Sequence, residues 1–226
     1  MITTAKSAID NVMRSLTSPI QPLDEELYLN QGQESTGQIS AIDIRLKEFP
    51  PRYRDAQFSK YELVGTGEQR AKQEKLIKHL RGMRSVIMYG NNGTGKTLLA
   101  YASMHDKIEK GYNPIYISFL ALMSKIKESY NQNGPSFYRI TEEYKRCDYL
   151  VIDEIDKSYG TPNEFLNLNH IIDARYNNCK PTVLISNSSE SDIIDLLGKS
   201  TFERIVEDGL AVYMDWPSYR MRLGMR

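Results

Sequence analysis

The stretch that most constrains this chain is Gly90-Asn91-Asn92-Gly93-Thr94-Gly95-Lys96-Thr97, entered from the apolar run Val86-Ile87-Met88-Tyr89 and left through Leu98-Leu99-Ala100. An apolar run, a glycine-rich turn and a helical start, in that order, make a strand, a loop and a helix. The loop has the G-x-x-x-x-G-K-[ST] spacing. Glycines let the backbone curl until successive N–H groups and the helix N-terminus face one anion. Such a cradle predicts a nucleotide, with Gly90, Asn91, Asn92, Gly93, Thr94, Gly95, Lys96, Thr97 and Leu98 around its phosphates. Lys96 is expected to reach the β- and γ-phosphates, and Thr97 to place its hydroxyl on Mg²⁺.

A second apolar run, Tyr149-Leu150-Val151-Ile152, ends in Asp153-Glu154. A continuously apolar strand belongs in a sheet covered on both faces. Two carboxylates at its tip complete a nucleotide-hydrolysing site: Asp153 is expected to hold Mg²⁺ through water, and Glu154 to orient and deprotonate the attacking water. Between and around these runs the pattern predicts helices at 67–82, 97–110, 119–130, 136–146, 162–178, 190–197 and 200–207. Further strands are predicted at 114–118, 181–187 and 210–215. The helix at 162–178 is expected to turn Phe165, Leu168, Ile171, Ile172 and Tyr176 inward. Strand and helix alternating in this way predict a three-layer α/β domain with a mostly parallel sheet.

The chain has 226 residues, room for one such domain and an appendage. Lys and Arg number 29, as do Asp and Glu, so no global field draws the protein to nucleic acid or membrane and any DNA contact must be a local patch. Cys147 and Cys179 are far apart and lack C-x-x-C spacing, which argues against a cysteine zinc site and for reduced thiols. Residues 1–15 are interrupted by Lys6, Asp10 and Arg14, and no apolar run approaches the roughly 18 residues of a membrane span. A cytoplasmic protein with no membrane contact is expected. Residues 4–16 place Ala5, Ile9, Val12, Met13 and Leu16 at helical spacing, an amphipathic helix that packs either on its own domain or on a partner. The polar stretch 18–40, with Pro19, Pro22, Gly32 and Gly37, reads as a linker. The expected division is therefore residues 1–40, helix and linker, and residues 41–226, the nucleotide-binding domain.

Phe49-Pro50-Pro51-Arg52-Tyr53-Arg54-Asp55-Ala56 followed by Phe58, upstream of the phosphate loop, resembles the DnaC/IstB branch of the AAA+ ATPases. The resemblance implies a P-loop AAA+ core with strand order 5-1-4-3-2, and a Mg²⁺-dependent ATPase. Its helical lid is expected to be small or missing, since the chain stops soon after Arg220. In this family the proline-rich segment wraps the base, so Tyr53, Phe58 and Tyr61 either wall adenine or serve as ordinary core aromatics. Asn187 resembles the first sensor. Phe202-Glu203-Arg204-Ile205-Val206-Glu207-Asp208-Gly209 resembles the segment bearing an arginine finger, which makes Arg204 a residue given to a neighbouring subunit. Asp215-Trp216-Pro217-Ser218-Tyr219-Arg220 resembles the closing element whose arginine, here Arg220, is a second sensor. The helix pair at 119–146 is either an ordinary hairpin or part of a single-stranded DNA path that uses Lys125, Lys127, Tyr130, Phe137, Tyr138 and Arg139. The family reading implies a loader that binds a hexameric DnaB-type replicative helicase through the N-terminal region, touches single-stranded DNA and self-associates through the ATPase domain. Two alternatives share the core: an IstB-like transposition helper, and an adaptor that uses ATP as a structural switch.

Overall fold

A computed structural model describes residues 41–130, 135–157 and 160–219. The predicted N-terminal helix and linker lie outside the described residues, as does Arg220. Helix α1 (Ala41–Lys47) stops before Pro50-Pro51, which can neither donate to a helix nor let the preceding residue remain helical. Short 3-10 turns at Pro51–Tyr53 and Phe58–Lys60 lead to α2 (Gly67–Arg81). Thr66 begins that helix with a capping box: its hydroxyl accepts from the Gln69 N–H, and the Gln69 side chain accepts from the Thr66 N–H. Then come β1 (Val86–Gly90), α3 (Lys96–Glu109), β2 (Pro114–Ser118), α4 (Phe119–Glu128), α5 (Phe137–Arg146), β3 (Tyr149–Asp153), α6 (Pro162–Asn177), β4 (Thr182–Ile185), α7 (Glu190–Leu197), α8 (Lys199–Glu207) and β5 (Leu210–Met214).

The five strands lie in the order β5-β1-β4-β3-β2, every neighbouring pair parallel, which is the order the family resemblance implies. Strands β1 and β3 are buried at every position, as their unbroken apolar runs require of a sheet covered on both faces. Alternate residues serve alternate layers. Val86 and Met88 pack with Leu76 and Leu80 of α2 and with Leu99 and Met104 of α3. Ile87 packs on the other side with Leu122 of α4, Tyr144 of α5, Leu168 of α6 and Phe202 of α8. Each such fully buried aliphatic side chain contributes about 1.5–3 kcal/mol. Because the strands are parallel, Gly90, Ser118, Asp153 and Ile185 all end at one edge of the sheet, and the loops of that edge face one another.

Two buried cations staple the layers. Arg175 is fully buried and donates to the carbonyls of Tyr144, Cys147 and Pro181 and to the Thr182 hydroxyl, tying α5 and β4 to α6. Lys107 donates to the Leu80 and Arg81 carbonyls at the end of α2, and burial holds its ammonium below the usual lysine range despite the adjacent Asp106. One sequence expectation is corrected: Tyr176, expected to point inward, is 39% exposed, with its hydroxyl donating to Glu207. It follows the fully buried Arg175 in the last turn of α6, on a side of the helix that meets Glu207 and Arg204 of α8 at the surface.

Candidate nucleotide-binding site

Among the described residues, helix α3 starts differently from most of the other helices, sharing only with α8, which follows Gly198, an uncapped glycine start. The N-termini of α2, α4, α5 and α7 are capped by Thr66, Ser118, Ser136 and Ser189 side chains. Helix α3 begins at Gly95, whose φ of 97° only glycine adopts without strain and which offers no side-chain cap. Its first N–H groups are left for an anion. A cleft of about 580 Å³ opens there, lined by Asn92, Gly93, Gly95, Lys96, Thr97 and Leu98 from the loop and α3, by Asp153 and Glu154 from β3, by Asn187 beyond β4, and by Arg52, Tyr53, Asp156, Lys157 and Tyr219.

The two halves of the predicted hydrolytic site meet directly. The Thr97 hydroxyl donates to Asp153 Oδ2 at 2.9 Å. The same oxygen accepts from the Tyr116 hydroxyl at 2.7 Å, while Oδ1 accepts from the Glu154 N–H at 2.7 Å. Burial pushes the Asp153 carboxyl above the usual carboxylate range, and these three donors pull the other way. Desolvation and the neighbouring Asp153 raise the Tyr116 phenol too, so it stays a proton donor. The Thr97 and Asp153 oxygens are hard donors of the kind that suit Mg²⁺. Among the described residues no group of three or more His, Cys, Asp or Glu is placed to hold a metal ion.

Lys96 is nearly buried, and its ammonium donates to the Gly90 and Asn91 carbonyls at 2.8 Å each. Those bonds hold it across the loop that it is expected to serve. Glu154 sits at φ 59°, a left-handed conformation that costs a non-glycine residue about 1–3 kcal/mol and turns its side chain out of the strand. That side chain is 42% exposed and paired with Lys157 at 2.5 Å. Asn187 is exposed at the tip beyond β4, its N–H donating to Asp156 at 3.0 Å.

The last residue of β5 and the segment after it strap the loop from behind. The Asn91 N–H donates to the Met214 carbonyl at 3.1 Å, the Tyr219 N–H to the Gly93 carbonyl at 2.8 Å, and the buried Trp216 indole to the Thr94 carbonyl at 2.8 Å. The Asn91 amide and the Gly93 and Thr94 carbonyls are thus engaged by the strap, while the amides at the start of α3 are left for an anion. Nothing in the sequence pattern signalled this strap, nor the bond from Tyr116, which depends on the pairing of β2 with β3.

The remaining candidates are spread more widely. Tyr53 lines the cleft, whereas Phe58 does not: its ring packs under Arg81, 5.4 Å from the guanidinium, on the far side of α3. Tyr61 is buried behind the loop, its hydroxyl donating to Gln73 and its ring 4.9 Å from Tyr219. Both are core aromatics, for which the proline-rich segment supplies anchoring. Arg204 stands at the other edge of the sheet, in a cleft shared with Ser85 and Pro181, the residues leading into β1 and β4. It pairs there with Asp173 and lies over the Tyr176 ring. On α4 and α5 and just beyond α4, Lys127, Tyr130, Tyr138 and Arg139 are exposed. Lys125, also exposed, donates to the Tyr144 hydroxyl, and Phe137 stacks on His170.

This combination has close counterparts. In Escherichia coli (strain K12) the replicative helicase loader DnaC is 29% identical over 177 residues, which span 76% of this chain and 72% of the relative. A crystal structure of the DnaC helicase loader matches the fold with a TM-score of 0.61 at 19% identity, covering 74% of this chain and all (100%) of that one. The replication initiator DnaA bound to AMPPCP and single-stranded DNA matches with a TM-score of 0.60 at 20% identity, covering 74% and 51%. These likenesses identify the fold as the P-loop AAA+ core. The family described as IstB-like ATP binding protein matches residues 35–223, nearly the whole chain. A phosphate loop joined to a carboxylate strand, on a sheet of order 5-1-4-3-2, thus sits in a chain that belongs to the family of IstB-like ATP binding proteins.

Proposed function

We propose that this protein is an ATP-hydrolysing loader that places a hexameric DnaB-type replicative helicase on single-stranded DNA. The observation that carries the reading is the direct bond between Thr97 and Asp153, which joins phosphate loop and carboxylate strand in one cleft, in a chain related to a helicase loader. In this reading the loop Gly90–Leu98 and the Lys96 ammonium bind the phosphates, and Thr97 and Asp153 hold the cation. Mg²⁺ bound there neutralises charge on the β- and γ-phosphate oxygens. Glu154, released from Lys157, takes a proton from the attacking water, which Asn187 orients. Arg220 follows as a second sensor by family resemblance.

Arg204 acts on a neighbouring subunit's site. Support comes from its place at the opposite sheet edge, about one strand length (~16 Å) from its own Asp153. It also has a part-exposed guanidinium, a permanent charge suited to γ-phosphate oxygens. The exposed Tyr130 and Tyr138, with Lys127 and Arg139, offer stacking faces and cations for single-stranded DNA. Residues 1–40 form the arm that docks on the helicase, residues 41–226 the ATPase domain, and the protein works in the cytoplasm.

The test uses purified protein, a purified DnaB-type helicase and single-stranded DNA circles coated with binding protein. ATP-dependent transfer of helicase to the circles, lost when residues 1–40 are removed while ATP binding persists, is the expected result. The family description favours one competing reading, the IstB-like transposition helper. Failure to transfer helicase, with ATP turnover stimulated by duplex rather than single-stranded DNA, would replace the loader by that reading.

A further inference from the structure

Tyr116 is the middle residue of β2, and the parallel register sets Ser118 opposite Asp153 and Tyr116 opposite Val151. Residues two apart on a strand share a face, so the Tyr116 phenol lies diagonal to the carboxylate and reaches along the sheet to it. The ring has little freedom. It stacks on Tyr101 with centroids 4.6 Å apart, and Tyr101 stacks on Tyr53 at 4.7 Å and 8°. The column stands on the proline-rich segment, where Tyr53 lines the cleft. Its inner end is the 2.7 Å bond from the Tyr116 hydroxyl to Asp153 Oδ2.

That oxygen accepts two hydroxyls, from Tyr116 and from Thr97. Resting on the reading of Thr97 as a cation ligand, the Thr97 oxygen takes on a second task when a cation binds, giving a lone pair to the metal while its hydrogen stays directed at Asp153. The Tyr116 hydroxyl has no second task, and its line to Oδ2 is set by the stacked rings. We infer that Tyr116 is the positioning residue of the divalent-cation site: its hydroxyl is the fixed donor that keeps Asp153 in the ligating orientation. Hydrogen bonds from such outer partners fix ligand orientation, and their loss typically costs about 10–100-fold in metal affinity. The neighbouring rings supply the rigidity, because a phenol free to rotate would pay side-chain entropy for the same bond.

Tyr116→Phe keeps the stacked ring and removes only the hydroxyl. Binding of N-methylanthraniloyl-ATP is titrated in EDTA and across a range of free Mg²⁺, and Mn²⁺ affinity in the presence of nucleotide is read by electron paramagnetic resonance. The expected result is unchanged affinity in EDTA, with the Mg²⁺ needed for half of the metal-dependent gain raised about tenfold or more and Mn²⁺ affinity lowered to match. Asp153→Ala is the companion variant. If Asp153→Ala removes the metal-dependent gain and Tyr116→Phe titrates like the unmodified protein, the role given to Tyr116 is wrong while the site stands. A Tyr116→Phe protein that loses affinity equally in EDTA would show the phenol to be packing only, which also overturns the inference. If Asp153→Ala leaves the metal dependence intact, the assignment of Asp153 fails first, and that of Tyr116 falls with it.

Discussion

Replacing Gly93 by alanine tests whether the strap of residues 214–219, and not the phosphates alone, dictates glycine in the loop. Gly93 has φ 81°, where a side chain costs about 1–2 kcal/mol. A Cβ there would stand 2.1 Å from Ser218 Oγ and 3.0 Å from Ser218 Cβ, so Ser218 must move. Its neighbour Tyr219 donates its N–H to the Gly93 carbonyl at 2.8 Å, and losing that bond adds about 1 kcal/mol. The expected sum of about 2–3 kcal/mol lowers the melting temperature by roughly 4–12 °C in a domain of this size. Ser218→Gly removes both clashing atoms and leaves its Cα at 3.7 Å, an ordinary contact. In the double variant the steric part, about 1 kcal/mol, should therefore return while the backbone part remains. Calorimetry on the four proteins closes the cycle, and Ser218→Gly alone subtracts whatever else that side chain does. Strictly additive costs would refute the strap as the reason for the glycine.

Lys96→Ala should abolish ATP binding, measured by fluorescent nucleotide titration, because it removes the cation and leaves the Gly90 and Asn91 carbonyls without their donor. Unchanged affinity would remove Lys96 from the cradle. Glu154→Gln should bind ATP normally and release phosphate at a rate near background, since the amide cannot accept the proton; normal turnover would exclude Glu154 as the base. Arg204→Ala should keep ATP affinity and lose on the order of a hundredfold or more in hydrolysis. Mixing it with Lys96→Ala subunits should restore part of the activity, because some interfaces then join an intact site to an intact arginine. No recovery on mixing would mean that Arg204 does not act between subunits.

Much of the fold could be read from local pattern because the chemistry of a parallel sheet is local. The runs 86–89 and 149–152 had to be buried on both sides, and the glycine loop between strand and helix had few other uses. Contacts that depend on register were not legible. Tyr116 looked like any strand aromatic until β2 was set beside β3, and Trp216 looked like part of a closing motif until its indole met Thr94. Phe58 and Tyr61 show the opposite limit. Their position in a proline-rich segment is equally consistent with a base wall and a core anchor, and only the side of α3 on which each ring falls decides between them. The bond from the Lys125 ammonium to the Tyr144 hydroxyl is likewise a contact that helical spacing alone could not reveal.

Trp216 gives the protein an optical property that needs no label. It is the single tryptophan among 226 residues, its ring is 2% exposed, and its one polar atom is bonded to the backbone of the phosphate loop. Light absorbed selectively by indole is therefore emitted from one place, millimolar protein or a trace, with fifteen tyrosines feeding it energy at shorter wavelengths. Any rearrangement that lengthens the bond to Thr94 alters the electrostatic field along the indole dipole and shifts its colour. Stopped-flow emission of the unmodified chain would thus time the movement of the loop itself, separately from the arrival of nucleotide and the release of phosphate.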